Sequence, residues 1–206
     1  MTPLLIIIAI IVVFLVWRLN NHKPKTNSYS QEEFFNKQLR EAKNIGIPKI
    51  PISLQSQLAN IIPSRDSQME YFPCRVVLNS GEVFDNVYIA DITKYLKVWG
   101  ILPSLDSGKK SISINDIAKI DESPNRLPAR LANKLYKAGE SGMGYSIFTI
   151  VFKDGNQMPI VTGNAVDFVN LPNGYTNNDI VDVIPHEGRN TNPRHGPEYI
   201  WCLYEP

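Results

Sequence analysis

Cysteine and histidine are scarce in this chain, and neither sign of charge dominates it. Its 206 residues hold two Cys, three His, and 21 Lys plus Arg against 20 Asp plus Glu. Two cysteines are too few for a scaffold built on disulfides. Cys74 and Cys202 read instead as two small buried apolar side chains in a reducing compartment. Nucleic-acid binders carry a basic excess or stripe; a net charge of +1 offers none, so no nucleic acid is an expected partner. Familiar chemical signatures are missing as well. The chain has no Gly-Lys-Ser/Thr phosphate loop and no His-Glu-x-x-His metal box. Gly139-Glu140-Ser141-Gly142-Met143-Gly144 fails as a nucleophile elbow, because Met143 stands where the last glycine belongs. No cofactor and no bound metal is expected.

What is present begins with fourteen residues, Leu4 to Trp17, that carry no polar side chain. With Met1, Thr2 and Pro3 the run reaches seventeen residues, the lower edge of what a helix needs to cross a bilayer core of about 30 Å. Apolar residues such as Leu4, Ile8 and Val12 cover every face, and Trp17 suits the headgroup level. The segment before the run has no Lys or Arg, and no small-residue cleavage site follows it, so it reads as a retained anchor. Arg18, Lys23 and Lys25 follow the run, with no acid before Glu32. The positive-inside rule then puts the C-terminal side in the cytoplasm, with a periplasmic placement as the alternative. Without those three bases the chain has 18 bases against 20 acids.

The expected organisation is an anchor over 1–19, a linker over 20–30, a helical segment over 31–63 and a mainly β domain over 64–206. Ser30-Gln31-Glu32-Glu33 has the capping-box pattern and opens a helix that runs to Ile45 before Gly46. A second helix is predicted over 54–62, and a third over 128–138 ahead of Gly139. Hairpins are predicted at 75–78/83–90 around Asn79-Ser80-Gly81 and at 146–152/157–162 around Asp154-Gly155. Further strands are expected over 111–114, 117–120, 165–169 and 180–184. Tyr199 to Tyr204 is apolar on both faces and reads as a buried closing strand. The two hairpins echo each other, and Asn115-Asp116-Ile117 recurs as Asn178-Asp179-Ile180, which suggests two similar modules over 71–122 and 145–185. The fold class is α+β: an N-terminal transmembrane helix, then small SH3-like barrel or sandwich modules with flanking helices.

The most polar stretch is His186-Glu187-Gly188-Arg189, followed by Arg194-His195. Prolines and glycines make it a loop. Its spacing fits no standard metal site, even with Cys202 added. Arg189 and Arg194, with His186 and His195 as extra donors, suit a carboxylate or phosphate. The leading expectation is a single-pass, membrane-anchored, non-enzymatic binding or accessory protein that recognises a protein partner at the cytoplasmic membrane face. The alternative is a hydrolase or anion-sensing domain using His186, Glu187, Arg189, Arg194 and His195. That alternative requires those side chains to converge near the Gly139–Gly144 loop.

Overall fold

The computed structural model describes residues 30–66 and 69–206. The expected anchor, with Leu4, Ile8, Val12 and Trp17, lies outside the described residues, as does the linker up to Tyr29. No helix among the described residues is long and apolar enough to cross a membrane.

Among the described residues the architecture is α+β with mainly sheet content: four α-helices and two sheets. The helices are α1 (Gln31–Ile45), α2 (Ile52–Ala59), α3 (Ile92–Trp99) and α4 (Ala129–Ala138). The capping box opens α1 as expected: the Glu33 N–H donates to Ser30 Oγ at 3.1 Å and the Ser30 N–H to Glu33 Oε2 at 2.9 Å. Sequence patterning missed α3, although Gly100, at φ 70°, caps its C-terminus. It starts directly after a strand, where the Asp91 carboxylate caps the N–H groups of Thr93 and Lys94.

The first sheet has six strands: β1 (Ser64–Asp66), β2 (Met69–Leu78), β3 (Val83–Asp91), β4 (Lys110–Ser113), β5 (Ile117–Asp121) and β10 (Ile200–Tyr204). Its order is β1-β2-β3-β10-β4, with β5 also paired to β2. The second sheet, in the order β8-β6-β7-β9, contains β6 (Ser146–Phe152), β7 (Gln157–Thr162), β8 (Ile180–Pro185) and β9 (Arg194–His195). Both sheets are open, which corrects the expectation of a small closed barrel. Strand β10 enters between β3 and β4, parallel to both, and widens the first sheet instead of closing it.

That position explains the apolar tail. Trp201 and Leu203 face an aromatic core with Tyr71, Tyr88 and Tyr95, under α1 and α3. Cys202 faces the opposite core with Val76, Val87 and Ile89, under α2. A strand buried on both faces reads as a continuous apolar run rather than an alternation. Cys74 and Cys202 lie on β2 and β10, on opposite sides of β3. Two strand spacings separate them by roughly 9–10 Å, beyond the reach of a disulfide, and both thiols are free and buried. Burial pushes both thiols well above their ordinary range. Disulfide-exchange reagents should therefore label neither in the folded chain and both after unfolding; rapid labelling of either under native conditions would contradict this packing.

The expected strand over 165–169 is not a regular strand. It forms one bridge, Arg126 with Phe168, and its backbone bonds to Asn125 and Leu127. The reason is Asp167, fully buried among apolar neighbours. Its carboxylate accepts from the hydroxyls of Ser64 and, at 2.6 Å, Tyr136. Its N–H donates to the Tyr88 hydroxyl at 3.2 Å, and its carbonyl accepts from the Leu127 N–H at 2.7 Å. Ala165 and Phe168 pack in the aromatic core, whereas Val166 and Val169 pack in the core between the second sheet and α4. Burial raises the Asp167 carboxyl above the usual carboxylate range, although hydrogen bonds from Ser64 and Tyr136 and the Arg126 charge oppose this. The folded chain thus holds this proton to higher pH than the unfolded chain does. Stability gained in acid is lost as pH rises through the raised value. Asp167→Ala should lower the unfolding free energy by about 3 kcal/mol, by leaving two buried hydroxyls without an acceptor. Asp167→Asn should cost less and should remove the wild type's relative gain in melting temperature between neutral and mildly acidic pH.

Candidate functional site

The connection from α4 to β6 is a loop held from several sides. Gly139, with φ 81°, closes α4 by donating to Leu135 O and Tyr136 O. The Ser141 N–H donates to Tyr145 O at 3.0 Å, and the Gly144 N–H to Glu140 Oε2 at 3.0 Å. Ser141 Oγ accepts the Ile147 N–H at 2.9 Å, which fastens the loop to the first turn of β6. A Cβ on Gly142 would lie 2.4 Å from the Tyr145 ring, so only glycine lets the ring fold back over the loop.

Two predicted site residues meet this loop. His186 Nδ1 lies 2.9 Å from Ser141 Oγ, and its Nε2 lies 3.3 Å from Ala138 O. The Ala138 carbonyl can only accept, so Nε2 is the donor of that contact, while the Ser141 hydroxyl also has the Ile147 carbonyl as an acceptor at 3.2 Å. His186 is the one non-glycine residue among those described with positive φ, 63°. Histidine tolerates that region better than most residues do, and its N–H donates to Ile147 O at 2.8 Å. Arg189 Nη2 donates to Ser141 O at 2.8 Å, and its guanidinium sits 5.9 Å from the Tyr145 ring centre. His186 and Arg189 thus converge on one short loop, yet Met143 at its apex is fully exposed.

The remaining predicted residues go elsewhere. Glu187 is exposed and makes no side-chain hydrogen bond or ion pair among the described residues. Arg194 and His195 form β9, where they pair with Ile160 and Val161 of β7. His195 lines a cavity of about 220 Å³ with Tyr88, Thr162, Phe168 and Tyr199. The fork expected from Arg189 and Arg194 is not formed, because Arg189 is spent on the Ser141 carbonyl. Cys202, weighed as a fourth metal ligand, is buried inside the first sheet. Among the described residues no three His, Cys, Asp or Glu side chains gather in a metal-binding arrangement.

The loop and β9 nevertheless belong to one end of the second sheet. Gly163 lies against Gly144, and Gly196, just past β9, lies against Thr162. Sequence reasoning missed Ser141 as the partner of His186, since nothing in the spacing of residues 45 apart marks them as neighbours. Comparisons with protein-family models, curated proteins and solved structures find no match.

Ser141→Ala removes the acceptor of the Ile147 N–H and the anchor of His186. It should cost about 1–2 kcal/mol in denaturant unfolding; an unchanged midpoint would mean that the loop is held without the serine.

Proposed function

We propose that this chain is a non-enzymatic binding module, held at the cytoplasmic membrane face by the Leu4–Trp17 segment, that recognises a protein partner. One observation carries the reading: a loop pinned by Ser141, His186 and Arg189 presents a fully exposed Met143. An apolar, adaptable side chain in water has a free-energy reason to be covered. Pinning the loop backbone in advance lowers the entropy cost of docking it. The cationic and polar groups around it match the polar rim of a protein interface.

The pair Ser141–His186 favours a second reading, a serine hydrolase. Two features weigh against it. Ser141 Oγ is already committed to the Ile147 N–H. The outer nitrogen of His186 faces the neutral Ala138 carbonyl rather than a carboxylate that would stabilise an imidazolium.

Affinity purification of the full chain from native membranes tests the proposal. The wild type should retain a discrete protein in stoichiometric amount, and Met143→Asp should lose it with an unchanged melting temperature. Retention by the variant, or labelling of Ser141 by a fluorophosphonate, would overturn the reading in favour of the second.

A further inference from the structure

The two hairpins share more than an outline. The Leu78 N–H donates to Glu82 O and the Gly81 N–H to Leu78 O; Phe152 donates to Asn156 O and Gly155 to Phe152 O. Each hairpin then receives a third strand, through a 3-10 turn, on the same side. Asn79 donates to Asp116 O, just before β5, and Lys153 donates to Asp179 O, just before β8. A register shift follows in each, between Val77 and Leu78 and between Val151 and Phe152. On the far side each hairpin receives a parallel strand: β10 beside β3, and β9 beside β7.

Beyond that point the two units differ. The outer edge of β10 is covered by β4, with Ile200 to Leu203 paired in parallel to Lys110 to Ser113. The outer edge of β9 ends the second sheet. The Gly196 N–H donates inward to Val161 O. Backbone groups alternate sides along a strand, so the N–H and C=O of His195 point outward. Arg194 and His195 are exposed and make no side-chain hydrogen bond or ion pair among the described residues.

We infer that the outer edge of β9 accepts an extended, acidic segment of a protein partner, added as a parallel strand in the place that β4 occupies beside β10. The filled slot in the first sheet shows the geometry. Arg194 supplies the charge that an acidic segment complements, with the His195 ring as a further polar contact, and main-chain bonds to His195 supply the pairing. The adjoining cavity of about 220 Å³, beside His195 and Tyr199, takes one small side chain of the added strand. This rests on the protein-binding reading and names the partner's chemistry.

The test uses the full chain in nanodiscs as bait for a displayed library of random linear peptides. Enriched peptides should be rich in Asp and Glu, should bind more weakly as salt rises, and should slow amide exchange at His195. Arg194→Glu should weaken them about ten-fold. His195→Pro, which removes the outward N–H and keeps the inward Gly196 bond, should abolish binding. Failure to enrich any peptide overturns the inference, as does enrichment of peptides indifferent to both variants. Slow exchange at His195 without peptide that vanishes when residues 20–29 are deleted also overturns it, by showing the edge already covered in cis. A partner lost from Met143→Asp but kept by Arg194→Glu and His195→Pro sinks the strand addition and leaves the binding-module reading standing.

Discussion

A single buried carboxylate holds the two cores together. Asp167 gathers Ser64 of β1, Tyr136 of α4 and Tyr88 of β3 around one short segment, and its flanking residues divide between the aromatic core and the core under α4. A group so far from water is tolerable because each carboxylate oxygen accepts a hydrogen bond inside the protein. The cost of desolvation acts against the hydrogen bonds from Ser64 and Tyr136 and the Arg126 charge, and desolvation is the larger. The segment therefore contributes specificity of arrangement more than raw stability, since each of its partners must be in place before the charge can be enclosed.

From that point the surface chemistry follows. Helix α4 is fixed at its Tyr136 end by Asp167, so the loop that leaves it starts from a rigid point. The loop is then fastened to β6 through Ser141 and to the 186–189 segment through His186 and Arg189. Support on both sides fixes where the backbone of the loop carries Met143, whose side chain stands fully in water.

Regular elements were largely legible from the residues. The helix 31–45 and the hairpin 146–152/157–162 fall where periodicity and turn chemistry place them. Local signals of this kind act over a few residues, and so one sequence suffices to read them. The errors came from contacts across the chain. Nothing near Ala165–Val169 announces that its aspartate will be enclosed, although one acid inside Ala-Val-Asp-Phe-Val is the mark that a buried polar centre leaves. The stretch 186–195 stands out in sequence only by its polar composition. Its residues divide between the Ser141 loop and β9 because a glycine- and proline-rich strap runs along β7 and delivers its side chains to different places. Short strands with tight turns suggest a small barrel or sandwich; the insertion of β10 between β3 and β4 is a fact of topology that no local pattern encodes.

The same insertion has a kinetic side. Val87 and Ile200 are neighbours in the first sheet, and the entire second sheet is spelled out between them. Bringing such distant stretches together must be accomplished before the innermost strand can be seated, which favours slow, all-or-none assembly. Neither half can be cut away as an autonomous fragment, because the first sheet would lose its middle and the second would lose its tether.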